Sequence, residues 1–382
     1  MISAEEIPRV LEGAVGQPSP RVNLTTGPFN LGWVGWFGYE FGAARSGMPM
    51  TASRYPQVSL GQIVQMYAFN HETKQVFGVA DSVTGLDELE ALTRLPLPTV
   101  QPVTANLAGT PMWRHEPEQY RALVERCRQE IVSGNAYQLC LTNEVTVAGS
   151  FSPVQVYQRL RADNPSHHGA LLRLGGVSLL SSSPEVFLRI TSDRQISTMP
   201  IKGTRRRGIT PSEDALLIAE LRDSDKEQAE NLMIVDLMRN DLSRICQTGS
   251  VTAHNLLEVH TLAQVHQLVS TVSGQLLDDA TFDKILTATF PAGSMTGAPK
   301  IAAMRILHEV ENGPRGIYSG AFGWLGADGT CELAMVIRSI VIDDEGASIG
   351  TGGGITIDSD PEFELEETKV KAAAGLRALG VL

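Results

Sequence analysis

Apolar and polar positions change period several times along the chain, and the changes divide it into elements. Gly32-Trp-Val-Gly-Trp-Phe-Gly-Tyr-Glu40 is rich in glycine and aromatic residues and suits a buried hairpin. Gln62 to Phe69 and Gln75 to Val79 are strand-like runs. Pro96 to Pro111, rich in proline and threonine, reads as a linker or long connection. Pro117 to Ser133 has the spacing of an amphipathic helix stopped by Gly134, and Ala136 to Val147 and Ala170 to Ile190 follow as strand candidates. Thr210-Pro-Ser-Glu213 is the clearest helix start: threonine can cap, proline fits the first helical position, and glutamate can close a capping box. That helix runs towards Asn240 in one or two pieces, and a last helix runs from Asp360-Pro361 to Leu379, before Gly380. Strands, helices and glycine loops mix without a regular βαβ beat, which argues against a doubly wound nucleotide fold.

Charge narrows the partners. With 31 basic and 43 acidic residues the formal charge is −12, so the surface field repels nucleic acid and anionic lipid. An anionic substrate therefore needs a locally built site. The four cysteines (Cys127, Cys140, Cys246, Cys331) have no metal-ligand spacing and read as buried, reduced thiols. No apolar run approaches the roughly 18 residues of a membrane span. The start of the chain, with Glu5 and Glu6 and no apolar stretch, is unlike a signal peptide. The expected location is the cytoplasm.

Candidate chemistry lies in a few places. Glu227-x-x-Glu230 and Glu364-x-x-Glu367 each put two carboxylates on one helix face. They are either two solvated faces or two opposed faces holding Mg²⁺, a hard ion that favours oxygen ligands and keeps waters. Lys371 stands four residues after Glu367 and can pair with it. Lys202, between an apolar stretch and Gly203, is placed for partial burial, which would lower its pKa and free an amine for attack. The three arginines that follow leave room for a surface lysine in a basic loop. Glu185, after Ser181-Ser-Ser-Pro, ends a strand, either exposed or as a desolvated general acid. Gly293 to Lys300 lacks the Lys-Ser/Thr of a phosphate loop, and Gly350-Thr-Gly-Gly-Gly354 is either an anion nest or a plain turn. Arg338, inside the apolar stretch Leu333 to Ile342, either reaches solvent or grips a carboxylate.

The order of these stretches resembles one family. From about Trp113 to Leu376 the chain is similar to the chorismate-binding domain of anthranilate, aminodeoxychorismate, isochorismate and salicylate synthases. Tyr137-Gln-Leu, Ser183-Pro-Glu185, Ala229 to Leu242, Gln267-Leu-Val-Ser270, Phe290 to Lys300, Gly352-Gly-Gly-Ile355 and Glu364 to Lys371 carry the likeness. The resemblance implies an α+β fold with a large two-layer antiparallel β-sandwich flanked by helices. It implies an N-terminal region at 1–111, shortened relative to the family, and a catalytic domain at 112–382. Glu230 and Glu367 would ligate Mg²⁺ with Glu227 and Glu364 in support. Tyr318, Arg338 and the backbone of Gly352, Gly353 and Gly354 would hold a substrate carboxylate, with Ser294, Gln267 and Lys371 nearby, and Glu185 would protonate the departing 4-hydroxyl.

Two positions separate activities within that family. Isochorismate and salicylate synthases have a water-activating lysine where this chain has Gln138. Anthranilate synthases have alanine where Pro200-Ile-Lys-Gly-Thr204 has Lys202. The resemblance is therefore greatest to aminodeoxychorismate synthases, in which the lysine attacks C2 of chorismate and ammonia then enters at C4. Ammonia would come from a glutamine amidotransferase subunit, and a lyase would complete 4-aminobenzoate for folate. Anthranilate or 2-amino-2-deoxyisochorismate synthesis is the alternative, and an inactive chorismate-binding subunit a second. Gln267 departs from the family's histidine, although His266 is adjacent.

Overall fold

A computed structural model describes residues 27–49, 51–96, 109–262 and 264–382. Residues 1–26 and most of the linker expected between Pro96 and Pro111 lie outside them, as does the leader reading at Glu5 and Glu6.

The fold is α+β, as expected, with two antiparallel sheets facing each other. The nine-stranded sheet runs in the order Ile201–Arg206, Val265–Gln275, Gln195–Met199, Val186–Ile190, Cys331–Met335, Ala321–Gly326, Gly32–Phe37, Val58–Ile63, with Thr252–Thr261 also on Val265–Gln275. The seven-stranded sheet runs Gly297–Ala298, Gln138–Ala148, Gly346–Ile355, Ser339–Ile342, Val177–Ser183, His168–Leu174, with Met112–Trp113 on Gln138–Ala148. Between them Trp36, Phe322 and Ala334 of the first meet Val177, Leu179 and Val341 of the second. Helices cover the outer faces. Ile234, Val235, Met238 and Leu242 of helix Asp225–Ser243 pack with Phe187, Leu188 and Val272. Ala372, Leu376 and Leu379 of helix Pro361–Leu379 pack with Val145, Ile340 and Ile349. Each large apolar side chain removed from water contributes roughly 1.5–3 kcal/mol, so both sheets are anchored from two sides.

Helix ends follow the sequence closely. The Thr210 hydroxyl accepts from Glu213 N at 3.2 Å, and the Glu213 carboxylate turns back to Ile209 N, one residue earlier than a capping box requires. The segment is two helices, Pro211–Arg222 and Asp225–Ser243, the second capped by Ser224. Asp360 accepts from Glu362 N and Phe363 N at 3.0 and 2.9 Å, and Gly380 closes the last helix in the left-handed region at φ 81°.

Three strand expectations need correction. Gly32–Phe37 is one strand followed by helix Tyr39–Arg45, not a hairpin. Its glycines admit neighbours on both sides; a Cβ on Gly35 would lie 1.9 Å from Ser59 O. Gln62 to Phe69 divides into two strands at Val64, the second pairing with Gln75–Ala80 as a separate hairpin. Ala170 to Ile190 is three strands. Gly175 and Gly176, at φ 58° and 84°, turn the first into the second, and Pro184-Glu185 interrupts the next. The four cysteines are free and buried. No helix among the described residues is long and apolar enough to cross a membrane.

Candidate active site

Two neighbouring strands pass from one sheet to the other at the same level. Val177–Ser183 continues as Val186–Ile190 through Pro184-Glu185, and Cys331–Met335 continues as Ser339–Ile342 through Val336-Ile337-Arg338. Glu185 O accepts from Met335 N at 3.0 Å and Arg338 O from Ser182 N at 3.2 Å, so the joints are held to the opposite strand. Arg338 is thus not inside a strand. It is at the crossover with φ 51°, a conformation L-residues other than asparagine and aspartate adopt at a cost and that clusters at functional sites. The residue is exposed on the cavity, and its guanidinium makes no hydrogen bond or ion pair among the described residues.

Lys202 is carried by Ile201–Arg206, whose pairing with Val265–Gln275 shifts register between Ile201 and Thr204. A bulge of this kind re-aims a side chain. Gly203 makes it possible: its φ is 87°, and a Cβ there would meet Leu221 at 2.8 Å and Glu227 Oε2 at 3.0 Å.

The helices supply an acidic wall. Helix Pro361–Leu379 lies close on Gly346–Ile355, with Thr351 Oγ1 donating to Thr368 O at 2.9 Å. Its carboxylates reach the glycine run: a Cβ on Gly353 would be 2.9 Å from Glu364 Oε2 and 3.0 Å from Glu367 Oε2. Lys371 ion-pairs with Glu367 at 3.1 Å and donates to Gly352 O at 2.8 Å. From the other helix Glu227 pairs with Arg205 at 3.3 Å, and Glu230 stands 4.0 Å from Lys226. The glycines 350 to 354 are mid-strand, in register with Glu144 to Cys140, rather than a loop or turn. Their use here is room. A Cβ on Gly350 would lie 2.0 Å from the Tyr318 ring, and one on Gly354 would lie 2.3 Å from Gln138 Nε2 and 3.5 Å from Lys202 Nζ.

All these groups enclose one cavity of about 300 Å³. Lys202, Glu185, Ser294, Tyr318, Arg338, Gln267, Lys371, Gly352 to Gly354 and the four glutamates line it together. Sequence reasoning missed Lys226, Arg205, Cys140 and Phe363, which share the lining. The signal for Lys226 was its four-residue spacing to Glu230, visible only once that helix face is known to turn inwards, whereas Arg205 reaches Glu227 from 22 residues away and carried no such signal. Gln138 was read as a discriminator; the fold buries it beside Lys202 and Gly354 with both amide atoms unpartnered. Ser294 Oγ and Glu364 Oε2 are likewise buried without a hydrogen bond of ordinary geometry. Buried polar atoms rarely go unsatisfied, so several orphans around one cavity point to a polar ligand. His266 does not stand in for the missing histidine. Alternation along the strand turns it away, to Asp214 at 2.8 Å and Thr261 at 2.9 Å, while Gln267 faces the cavity.

Burial and neighbours set the charges. Burial pushes the Glu185 carboxyl up to about 7, against Ser294 and Lys202, which favour its ionised form. Burial also raises Glu230 and Glu364, the latter with help from Glu367. Glu367 is held below the usual range because Lys371 outweighs its burial. Lys202 departs from expectation. Burial favours its neutral form, but Glu230, Glu185 and Glu367 together outweigh burial and raise its pKa. No three His, Cys, Asp or Glu side chains among the described residues form a closed metal cage. Four carboxylates on one cavity, one with an orphaned buried oxygen, nonetheless fit a hydrated hard cation better than a soft or fully enclosed one.

A substrate-sized, polar cavity set at paired sheet crossovers and floored by carboxylate helices defines a small-molecule enzyme site rather than a macromolecular surface. The chain belongs to the chorismate binding enzyme family, whose profile matches residues 5–377. It is 42% identical to an aminodeoxychorismate synthase of Streptomyces pristinaespiralis over 92% of this chain and 51% of that protein. It is 38% identical to the chloroplastic aminodeoxychorismate synthase of Arabidopsis thaliana, over 92% of this chain and 41% of that one. The chain thus spans about half the length of these relatives or less. Anthranilate synthase component 1 of Streptomyces coelicolor is 36% identical, with 92% of this chain and 73% of that protein covered. The fold matches a crystal structure of anthranilate synthase component I from Streptococcus pneumoniae TIGR4 with a TM-score of 0.86 at 27% identity, covering 97% of this chain and 85% of that one.

Proposed function

We propose that the chain is the chorismate-aminating unit of an aminodeoxychorismate synthase, replacing the 4-hydroxyl of chorismate by an amino group. The observation that carries this reading is Lys202 entering the cavity that Glu230 and Glu367 line, beside Gln138 rather than a second lysine. The names of the relatives support it. Ammonia would come from a glutamine amidotransferase partner, and the product would pass to a lyase that completes 4-aminobenzoate for folate. The cavity lining runs from Cys140 to Lys371, which suits a catalytic part at 112–382. Four free, buried thiols suit the cytoplasm.

The neutral Lys202 amine attacks C2 of chorismate, both ring double bonds shift by one position, and the 4-hydroxyl departs as water with a proton from Glu185. Ammonia then attacks C4, both double bonds shift back, and the lysine leaves C2 as the free amine. The sum is chorismate plus ammonia to aminodeoxychorismate plus water, one substitution divided into two. Arg338 and Tyr318 would hold a substrate carboxylate, with the backbone of Gly352 to Gly354 alongside. Glu230 and Glu367, supported by Glu227 and Glu364, would hold Mg²⁺, whose charge would neutralise those carboxylates and anchor a substrate carboxylate. With the charge of Glu230 and Glu367 cancelled, two of the groups that raise the Lys202 pKa would be removed, leaving burial, which favours the amine that attacks, less strongly opposed.

Incubation with chorismate, Mg²⁺ and ammonium, followed by the lyase, should give 4-aminobenzoate, and Lys202→Ala should lower that rate on the order of 10³-fold. Anthranilate as the sole product, or full activity in Lys202→Ala, would replace this reading by the anthranilate one. Magnesium-dependent chorismate binding with no turnover at saturating ammonium would identify a binding subunit.

A further inference from the structure

Behind the cavity, and outside its lining, stands Arg315, 5% exposed. A guanidinium has five N–H donors in a fixed plane. Here they serve five acceptors. Nε and Nη2 bond Glu311 at 2.8 and 2.7 Å, Nη2 also bonds Cys140 O at 2.8 Å, and Nη1 bonds Met295 O at 2.5 Å and Ser319 Oγ at 3.4 Å. The surroundings leave it no other arrangement. Its ring neighbour is Tyr39, 4.3 Å from the guanidinium carbon, and its own N–H and that of Gly316 are held by the Glu40 carboxylate at 2.7 and 3.0 Å.

Beyond Glu311, the acceptors belong to three segments that each present a group to the cavity. Cys140 lines it from strand Gln138–Ala148, two residues from Gln138. Met295 lines it and follows Ser294. Ser319 follows Tyr318 and is itself left-handed, at φ 62°, with no glycine to ease it. The strand and the turn also meet directly, Cys140 N donating to Thr296 O at 2.9 Å, and the Arg315 side chain adds the loop, tying all three together.

We propose that Arg315 is a positioning residue of the reaction, fixing the Ser294 hydroxyl opposite Glu185 without touching substrate. This rests on the function proposed above. Lysine at 315 would keep the charge beside Glu311, but three donors on one nitrogen cannot pair with Glu311 and reach both carbonyls. On the function proposed above the substrate carboxylates would be held from the Arg338 and magnesium side, so the loss falls on the departure of the hydroxyl. The variant therefore loses kcat and keeps KM.

The test is a double-mutant cycle on the full chain with chorismate, Mg²⁺ and saturating ammonium, with rates normalised to folded protein by near-ultraviolet circular dichroism. Arg315→Lys is expected to lower kcat about tenfold with KM for chorismate changed less than threefold. In a Ser294→Ala background the same change should cost less than twofold, because Arg315 acts through the group already removed. An equal fold-loss in both backgrounds, or a wild-type kcat per folded molecule in Arg315→Lys, overturns the proposal. Should Arg315→Lys not fold, Ser319→Ala keeps the buried ion pair and takes its place in the cycle, with an expected two- to fivefold loss of kcat that Ser294→Ala likewise suppresses. Wild-type conversion of chorismate to a different product would retire the functional reading, and the cycle would then be scored on that product.

Discussion

The two walls of the cavity are built by different physics. The acidic wall stands on two helices, where a three-residue spacing alone puts Glu227 with Glu230 and Glu364 with Glu367. The opposite wall stands on two strand crossovers, where Glu185 and Arg338 meet only because adjacent strands break at one level between two sheets. The helical wall is charge-rich and partly neutralised by Lys226, Arg205 and Lys371. On the crossover wall Glu185 is buried, and Arg338 has no hydrogen bond or ion pair among the described residues. One wall suits a cation and the other suits proton transfer to a leaving group, and each can be broken separately.

The largest effect is expected at the acidic wall. Glu230→Ala or Glu367→Ala should abolish turnover at any practical magnesium concentration, because Mg²⁺ rests on one or two carboxylates and the substrate. Rates measured across a magnesium titration check this, and normal turnover in both variants would mean that the metal lies elsewhere.

At the crossover wall, Glu185→Gln should lower kcat by roughly 10²- to 10⁴-fold, the usual worth of a positioned acid. The pH dependence has a definite sign. Burial lifts Glu185 to about 7, so the donating, protonated form prevails below that pH and is lost above it. kcat/KM should therefore fall on the alkaline side of about 7, and the Gln variant should lose that limb. A limb that survives unchanged in Glu185→Gln would belong to another group.

That contrast also explains what could be read from the letters. Both glutamate pairs, Lys371 beside Glu367 and the last helix with its Asp360 and Gly380 ends were legible, because helical spacing and caps are local. Arg338 read as a charge inside one strand because the apolar run from Leu333 to Ile342 contains nothing that marks a change of sheet. The Gly350 to Gly354 run looked like a loop because glycine signals freedom. Its actual function is space, for the Tyr318 ring, the Glu364 and Glu367 carboxylates and the Gln138 amide, all of which arrive from distant segments. Lys202 was read as a buried lysine with a lowered pKa. The fold brings Glu230, Glu185 and Glu367 around it and reverses the direction.

Gly350→Ala sharpens the comparison from the side of substrate binding. The added methyl would lie 2.0 Å from Tyr318 Cγ and 2.4 Å from both Cδ atoms, so the ring must move. Overpacking of this kind costs about 1–3 kcal/mol of stability. Because Tyr318 is assigned to the substrate carboxylate, KM for chorismate should rise about tenfold while the alkaline limb from Glu185 stays in place. Chorismate titration and a kcat/KM profile against pH measure the two separately. An unchanged KM would remove Tyr318 from substrate binding.

The smallest effect is one of stability, and it tests whether the acidic wall is strained without a cation. Glu364 is buried, accepts from Ser359 at 2.7 Å through one oxygen, and leaves the other unpartnered beside Glu367. Burial and the neighbouring charge raise its pKa in the fold. A carboxyl raised in this way contributes stability that is complete below its unfolded value, near 4.5, and is lost as pH rises through the folded value. At pH 8 the native chain therefore carries a buried, ionised group that Gln would not. Glu364→Gln should be more stable by about 1 kcal/mol at pH 8 in chelator, and no more stable at pH 4. Added Mg²⁺ should narrow or reverse the difference at pH 8, because only the native carboxylate gains from the cation. Urea unfolding at both pH values, with and without the metal, reads all of these. A Gln variant that is less stable at pH 8 without magnesium would show that the four glutamates are satisfied by the protein alone, and the argument for a cation between the two helices would lose its physical basis.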